Sequence, residues 1–398
     1  MGAGIAMCYA SAGIAVRLID TDPTSLQNGL ARIRAQYDRA TAKGRLTPAQ
    51  RDAAVALVTP ADGYAAFADV DVVVEAAFED LALKCRIFEE LGRVTRPDCL
   101  LASNTSTLDI DALADASGRP SMVVGHHFFS PAHVMRLLEI VRGRQTAAEV
   151  IAASRVLAAR LGKLGVVVGN CLGFVANRLL AYYVREALLL LEEGARVEQI
   201  DRALTTFGMA VGPFTMQDIA GIDVGTRIRR QLAALGKTRA DGPQSAVPDR
   251  LFERGRYGQK TQAGWYRYEA GSRTPVPDPM VDDIAAAEAA RRGVSRRTHI
   301  PDEEIVSRVF TAVVNEAFKV LAEGYAARPG DIDVIYCYGF GFPRARGGPM
   351  FWADTVGLPA VLADVRRYRD IYGDYWAPAP LLERYVQEGR SLFDPRAL

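Results

Sequence analysis

Histidine and cysteine are scarce in this 398-residue chain, which has four of the first and five of the second. Cys8, Cys85, Cys99, Cys171 and Cys337 are far apart, odd in number and without metal-ligand spacing. That excludes a disulfide framework and suits a reducing, cytoplasmic setting. Net charge is nearly absent: 48 basic and 47 acidic residues leave +1, so no broad field recruits nucleic acid or anionic lipid. Long apolar runs are absent too. The run Ala187–Leu191 is too short to span a bilayer, no charged segment leads into an apolar one at the start, and Pro395-Arg396-Ala397-Leu398 is neither a retention nor a peroxisomal tripeptide. The reading is a soluble, untargeted protein with no nucleic-acid or membrane partner. Its 49% hydrophobic content supports two or three domains.

A strand ahead of the first glycines is also missing. The chain opens MGAGIAMCYASAGIAVRLIDTDP, and Gly2-Ala3-Gly4 has the look of a phosphate-cradling loop, which needs a buried strand before it and helix amides after it. Only Met1 precedes. From Ala3 to Ala12 small and apolar residues recur at helical spacing, Gly13 closes the segment, and Val16-Arg17-Leu18-Ile19 reads as a strand ending in Asp20. A carboxylate at a strand tip accepts a hydrogen bond from a ribose 2′-hydroxyl and repels a 2′-phosphate, which favours NAD over NADP. A cap or turn role beside Asp22-Pro23 is the alternative. Leu26 to Lys43 reads as helix, and Val70 to Glu75, Leu100 to Ser103 and Met122 to Gly125 read as parallel strands buried on both faces. Strands alternating with helices specify a doubly wound α/β domain.

After Val166-Val167-Val168 strand signals nearly stop, and Arg178 to Glu193 reads as a long amphipathic helix. The helical half repeats itself. Arg185-Glu186-Ala187 runs through Leu191-Glu192-Glu193-Gly194 to Ile200-Asp201 and Gly212-Pro213; Asn315-Glu316-Ala317 runs through Leu321-Ala322-Glu323-Gly324 to Ile332-Asp333 and Gly348-Pro349. The later gaps differ, so this is a duplicated unit and not a solenoid array.

Of the histidines, His126, His127 and His133 fall in one stretch directly after a strand, where α/β sheets place ligands. A neutral imidazole there can take a proton from an alcohol, and a carboxylate beside it would hold its tautomer. Packing against Phe128 and Phe129 is the plainer alternative, and metal binding has no ligand spacing behind it. Glu139 lies in the apolar run Leu137-Leu138-Glu139-Ile140, as a solvent-facing strand residue or as that partner. Asn104-Thr105-Ser106-Thr107 follows another strand, as a turn or as polar groups beside a reaction centre. Asn177 is open in the same way. Glu79 and Lys84 are solvated helix charges or contacts to a nicotinamide ribose.

Taken in order, Asp20, Val74-Glu75-Ala76 with Glu79, Ser103-Asn104-Thr105-Ser106, His127-Phe128-Phe129-Ser130-Pro131, Leu138-Glu139-Ile140 and Gly173-Phe174-Val175-Ala176-Asn177-Arg178 resemble the L-3-hydroxyacyl-CoA dehydrogenase family over nearly the whole chain. Gly339-Phe340-Gly341-Phe342-Pro343-Arg344 with Arg346-Gly347-Gly348-Pro349-Met350 resembles the second helical copy of multifunctional fatty acid β-oxidation enzymes. The resemblance implies a Rossmann-like NAD-binding domain over 1–168 without its first strand, a first helical domain over 169–270, and a linker with a second helical copy over 271–398. It implies NAD-dependent oxidation of L-3-hydroxyacyl-CoA, with His127 as general base, Glu139 as its partner, and Ser106 and Asn177 on the substrate's oxygens. Gly2, Gly4, Asp20, Glu79, Lys84 and Asn104 match NAD contacts, and no metal is implied. Ser130 stands where many members have Asn. Gly2 matches the third glycine of the family's loop, so the natural product is expected to start upstream of Met1. No segment resembles a hydratase, and no hydratase activity is expected. The expected partner is an acyl-CoA substrate, with a homodimer or association with other β-oxidation enzymes left open. A truncated, non-catalytic fragment that binds acyl-CoA or a partner is the alternative reading.

Overall fold

The computed structural model describes residues 1–234, 236–238 and 240–393; the tetrapeptide Pro395-Arg396-Ala397-Leu398, read above for a targeting signal, lies outside the described residues. The chain divides into two compact units, Met1–Val175 with Tyr325–Ala327, and Ala176–Gly324 with the residues from Arg328 onward.

The first unit alternates helices and strands: α1 (Gly2–Ser11), β1 (Val16–Leu18), α2 (Pro23–Ala42), α3 (Pro48–Ala56), β2 (Val58–Pro60), β3 (Val72–Glu75), α4 (Leu81–Val94), β4 (Leu100–Ser103), α5 (Ile110–Ala116), β5 (Val123–Phe128), β6 (Leu137–Arg142), α6 (Ala148–Arg160) and β7 (Leu164–Gly169). Local chemistry sets the helix starts. Asp22 accepts the Thr24 and Ser25 amides ahead of Pro23, Thr47 and Gln50 form a capping box, and Asp80 accepts the Leu83 amide at 2.7 Å.

The strands form two ladders, β1-β2 and β3-β4-β5-β6-β7. Every pairing is parallel except β5 with β6, which is antiparallel. No ladder joins β1 to β3; both strands line a cleft of about 1270 Å³. Helix α1 is apolar all round and is clasped from two sides. Ile5, Cys8 and Tyr9 pack with Leu100, Ala102, Val124, Phe128, Leu138 and Ile140, while Ala6, Met7 and Ala10 pack with Ile33, Tyr37 and Val58.

The second unit is helical. It contains α7 (Phe174–Glu193) from Ala176 onward, α8 (Val197–Phe207), α9 (Pro213–Ala220), α10 (Ile222–Ala234), α11 (Val247–Glu253), α12 (Pro279–Arg291), α13 (Asp302–Ala322), α14 (Pro329–Gly339), α15 (Pro349–Val356), α16 (Leu358–Tyr372) and α17 (Pro380–Gln387). The repeat read in the sequence is a repeat of contacts. Asp201 accepts the Phe214 and Thr215 amides at the start of α9, and Asp333 accepts the Met350 and Phe351 amides at the start of α15. Across the long helices α7 and α13 the ion pairs are reciprocal. Arg178 bonds Glu316 at 2.6 Å and Glu323 at 2.6 Å, while Arg308 bonds Glu186 at 2.7 Å and Glu193 at 2.7 Å. Each arginine stands at the same spacing ahead of its own segment's glutamates, Arg178 before Glu186 and Glu193 and Arg308 before Glu316 and Glu323. The two copies therefore meet as the two halves of an isologous interface do, within one chain.

The two sets differ in burial. Arg308 and Glu186 are both fully buried, with Arg185 also on Glu186, whereas Arg178 and Glu323 reach solvent. Glu186→Leu removes the carboxylate that two buried guanidiniums share, leaving Arg185 with no ion-pair partner among the described residues while Arg308 keeps Glu193, and is expected to cost about 3 kcal/mol, read as a lowered urea midpoint of the helical unit. Glu316→Leu leaves the partly solvated Arg178 on the exposed Glu323 and is expected to cost clearly less. Equal midpoints for the two variants would contradict this account.

Candidate active site

The antiparallel register of β5 and β6 sets His127 opposite Glu139 and His126 opposite Ile140. Successive strand residues point to opposite faces, so the two histidines have different surroundings. His126 faces α6, where its Nε2 lies 2.9 Å from Ser154 Oγ, and burial pushes its pKa down to about 4. It is a neutral core residue. His127 Nδ1 lies 2.7 Å from Glu139 Oε2, and both side chains are buried. The rings of Phe129 and Phe174 stand 4.6 Å and 5.6 Å from its own. A carboxylate accepting the Nδ1 proton leaves Nε2 with the lone pair, and Nε2 takes no hydrogen-bond partner among the described residues. The third histidine, His133, lies on the exposed connection between β5 and β6.

Beside this pair the ends of β3 and β4 build a polar cluster. Asn104 Oδ1 accepts the Phe128 amide at 2.9 Å, tying the turn after β4 to the residue next to His127. Glu79 Oε1 gathers the Thr105 hydroxyl at 2.6 Å, the Ser106 amide at 3.0 Å and the Thr107 hydroxyl at 3.1 Å. Burial alone would raise the Glu79 pKa. The Thr105 hydroxyl, the Lys84 ammonium and the Ser106 amide outweigh it and hold the carboxyl below its usual range. Lys84 is buried, 2.6 Å from Glu75 Oε1 and 3.5 Å from Glu79 Oε2. Glu75 also accepts Ser103 Oγ at 2.6 Å and the Ala77 amide at 2.5 Å.

The cleft between β1 and β3 is lined by Gly2, Gly4, Asp20, Glu75 and Ala77, and by Ser130 to His133. Its features fit a dinucleotide. The first turn of α1 has no side-chain cap; the Gly4 amide turns back to Met1 O at 2.9 Å, and the Gly2 and Ala3 amides ahead of it can face an anion. A Cβ on Gly2 would find nothing nearer than 3.9 Å, which leaves room for a close approach. Asp22, not Asp20, caps α2; Asp20 is exposed at the end of β1, with one oxygen 3.1 Å from the Asp22 amide. Among the described residues no cluster of three or more His, Cys, Asp or Glu could hold a metal ion, and no helix is long and apolar enough to cross a membrane.

The structure thus brings together His127, Glu139, Asn104, Ser106, Glu79 and Lys84, and sets Gly2, Gly4 and Asp20 on one cleft. Asn177 lies half-buried in the first turn of α7, within the second unit. Sequence reasoning read Thr105 only as one of the polar groups after a strand, and gave Glu75 and Phe174 no role of their own beyond the motifs they belong to. For Glu75 a signal existed: it is the one charge closing the apolar strand Val72–Glu75.

A parallel sheet with a glycine-started helix, an acidic strand tip and a histidine–carboxylate pair defines a dinucleotide-binding domain of the dehydrogenase class. The 3-hydroxyacyl-CoA dehydrogenase NAD-binding domain matches residues 1–171, and the C-terminal domain of the same family matches 173–268 and 305–392. The chain belongs to the 3-hydroxyacyl-CoA dehydrogenase family, and NAD is the cofactor of its first domain. It is 44% identical over 98% of its length to the peroxisomal bifunctional enzyme of Danio rerio, of which it covers 55%. The chain spans about half the length of the curated relatives it matches. The structure of 3-hydroxybutyryl-CoA dehydrogenase from Escherichia coli K12 is similar at a TM-score of 0.84 and 27% identity, covering 98% of this chain and 97% of that one. M. tuberculosis FadB2 is 35% identical at a TM-score of 0.63, covering 68% of this chain and 95% of that one.

These relatives correct one expectation. The cytoplasmic assignment does not stand, because the curated relatives are named peroxisomal or glyoxysomal. Scarce, unpaired cysteines report a reducing environment and near-zero charge reports a lack of polyanion affinity; neither is an address, which is read from signals by receptors.

His126 gives this unit a pH signature. Its pKa is about 4 in the folded chain against 6.5 ordinarily. Between those values the unfolded chain binds more protons, so stability falls as pH drops from 6.5 to 4, by roughly 3 kcal/mol. His126→Gln is expected to flatten that part of the stability curve in urea titrations at a series of pH values. A wild-type curve already flat over that window would refute the assignment.

Proposed function

We propose that the chain carries out NAD-dependent oxidation of L-3-hydroxyacyl-CoA to 3-oxoacyl-CoA in fatty acid β-oxidation. The reading is carried by the 2.7 Å contact of His127 Nδ1 with Glu139, which presents the other ring nitrogen as a base. His127 Nε2 accepts the proton of the substrate 3-hydroxyl, and Glu139 keeps the ring in the right tautomer and stabilises the imidazolium that forms. Bound NAD supplies the acceptor for the hydride leaving C3. Ser106 and Asn177 donate to substrate oxygens and so fix C3, a matter of proximity and orientation. Asp20 takes the adenosine ribose hydroxyls, the first turn of α1 at Gly2 and Gly4 takes the pyrophosphate, and Glu79, Lys84 and Asn104 hold the nicotinamide end. In this reading the helical half is a first copy over 169–270 followed by a linker and second copy over 271–398, and the reciprocal ion pairs support a chain that needs no second subunit to cover α7.

Acetoacetyl-CoA-dependent oxidation of NADH, followed by absorbance, tests the proposal. His127→Gln is expected to lower kcat by about 10²–10⁴ with acetoacetyl-CoA affinity retained, and Glu139→Gln to lower it by a smaller factor. Wild-type chain that binds acetoacetyl-CoA and NADH without turning over would favour the second reading, a fragment that binds but does not catalyse.

A further inference from the structure

Two lysines in the first unit are buried, and they are treated differently. Lys84 has the Glu75 carboxylate at 2.6 Å. Lys163, 9% exposed just before β7, has no carboxylate within ion-pair distance among the described residues. Its Nζ donates instead to two main-chain carbonyls, Ala132 O at 2.5 Å and Met135 O at 2.6 Å. A buried ammonium is costly unless its donors are used, and two of its three are.

The Ala132 carbonyl is a junction. It also lies 3.3 Å from the Cys8 thiol of α1, which reaches Gly4 O at 3.2 Å. The connection between β5 and β6 is thereby held against the first turn of α1. The fit is close: a Cβ on Gly4 would sit 3.3 Å from Ala132 Cβ and 3.7 Å from His133 Nδ1. Ser130 to His133 and Gly2 to Gly4 line the same cleft. The connection's own hydrogen bonds, from the Val134 and Met135 amides to Pro131 O at 2.9 and 3.0 Å, close a single turn and cannot fix where that turn sits. Lys163 does so from outside.

We infer that Lys163 is a positioning residue for the dinucleotide. It clamps the connection between β5 and β6 onto the first turn of α1, so that the cleft wall facing the pyrophosphate is preformed, and it leaves there a buried positive charge without a counter-ion. This rests on the dinucleotide reading proposed above. It predicts that losing the ammonium weakens the pyrophosphate end of the ligand and leaves the His127–Glu139 pair in place.

The experiment uses the full chain with Lys163→Met, Lys163→Gln and Lys163→Arg, and ADP-ribose as probe. Calorimetric Kd for ADP-ribose is expected to rise about tenfold or more in Lys163→Met, the loss of hydrogen bonds to a charged group, and Lys163→Arg, which can reach both carbonyls, is expected to recover most of it. Amide hydrogen exchange at Val134 and Met135 in the ligand-free protein is expected to accelerate in Lys163→Met. In turnover, KM for NAD is expected to rise by a larger factor than kcat falls, with the pH profile unmoved. Should Lys163→Met fail to fold, Lys163→Gln, which keeps a donor for one carbonyl, carries the same comparison. A folded Lys163→Met or Lys163→Gln that binds ADP-ribose as tightly as wild type overturns the inference alone. A wild-type chain that does not take ADP-ribose overturns the dinucleotide reading and this inference with it.

Discussion

The structure turns on a single reversal of strand direction. In a sheet otherwise paired in parallel, β5 and β6 run antiparallel, and their register sets His127 against Glu139. A slip of one residue would put His127 on the α6 face and leave a buried carboxylate facing nothing, because side chains alternate faces along a strand. Two features hold the register. Gly125 pairs with Val141 so closely that a Cβ there would lie 2.7 Å from the Val141 Cβ, and Asn104 takes the Phe128 amide from the neighbouring turn. The histidine–carboxylate pair is thus a product of sheet geometry, and its precision is that of a β ladder and not of a loop.

From that edge a continuous set of polar contacts runs outward. Asn104 is flanked along the chain by Ser103 and Thr105, whose hydroxyls donate to Glu75 and Glu79, and both carboxylates pair with Lys84. Each buried charge has its complement, which is the condition for keeping such groups out of water. Lys163 follows the same rule by another route, through carbonyl oxygens.

The helical half solves a different problem. Two copies of one sequence pattern each present an arginine and two carboxylates at the same spacing along a long helix, and each arginine takes the other copy's carboxylates. Duplication followed by self-pairing yields a buried two-fold contact without a second molecule. The buried half of it, Arg308 with Glu186, specifies how the copies dock more than it adds stability.

Much was legible in one dimension. The alternation of apolar strands and amphipathic helices, the small-residue helix at the start, the acidic tip at Asp20 and the repeat around Glu186 and Glu316 all depend on short-range spacing, and all stand as read. Strand β2, three residues long, carried too little pattern to be read. Other residues were ambiguous for a physical reason. His126 and His127 are chemically alike and adjacent; which becomes a core residue and which a candidate base depends on the face each strand position is given. Glu139 looked like a solvent-facing strand residue and is fully buried. Lys84 read as a solvated helix charge or a ribose contact and is buried on Glu75; Lys163 drew no reading, and its burial follows from carbonyls about thirty residues away.

Sequence alone therefore determined the alternation of strands and helices in the first half, the helical character and duplication of the second, and the chemical inventory, because these rest on periodicity and residue type. Tertiary structure alone decided which titratable groups meet, which are buried and which are held by main-chain atoms. Those outcomes are set by strand register and by packing between segments far apart along the chain, quantities that no local pattern encodes.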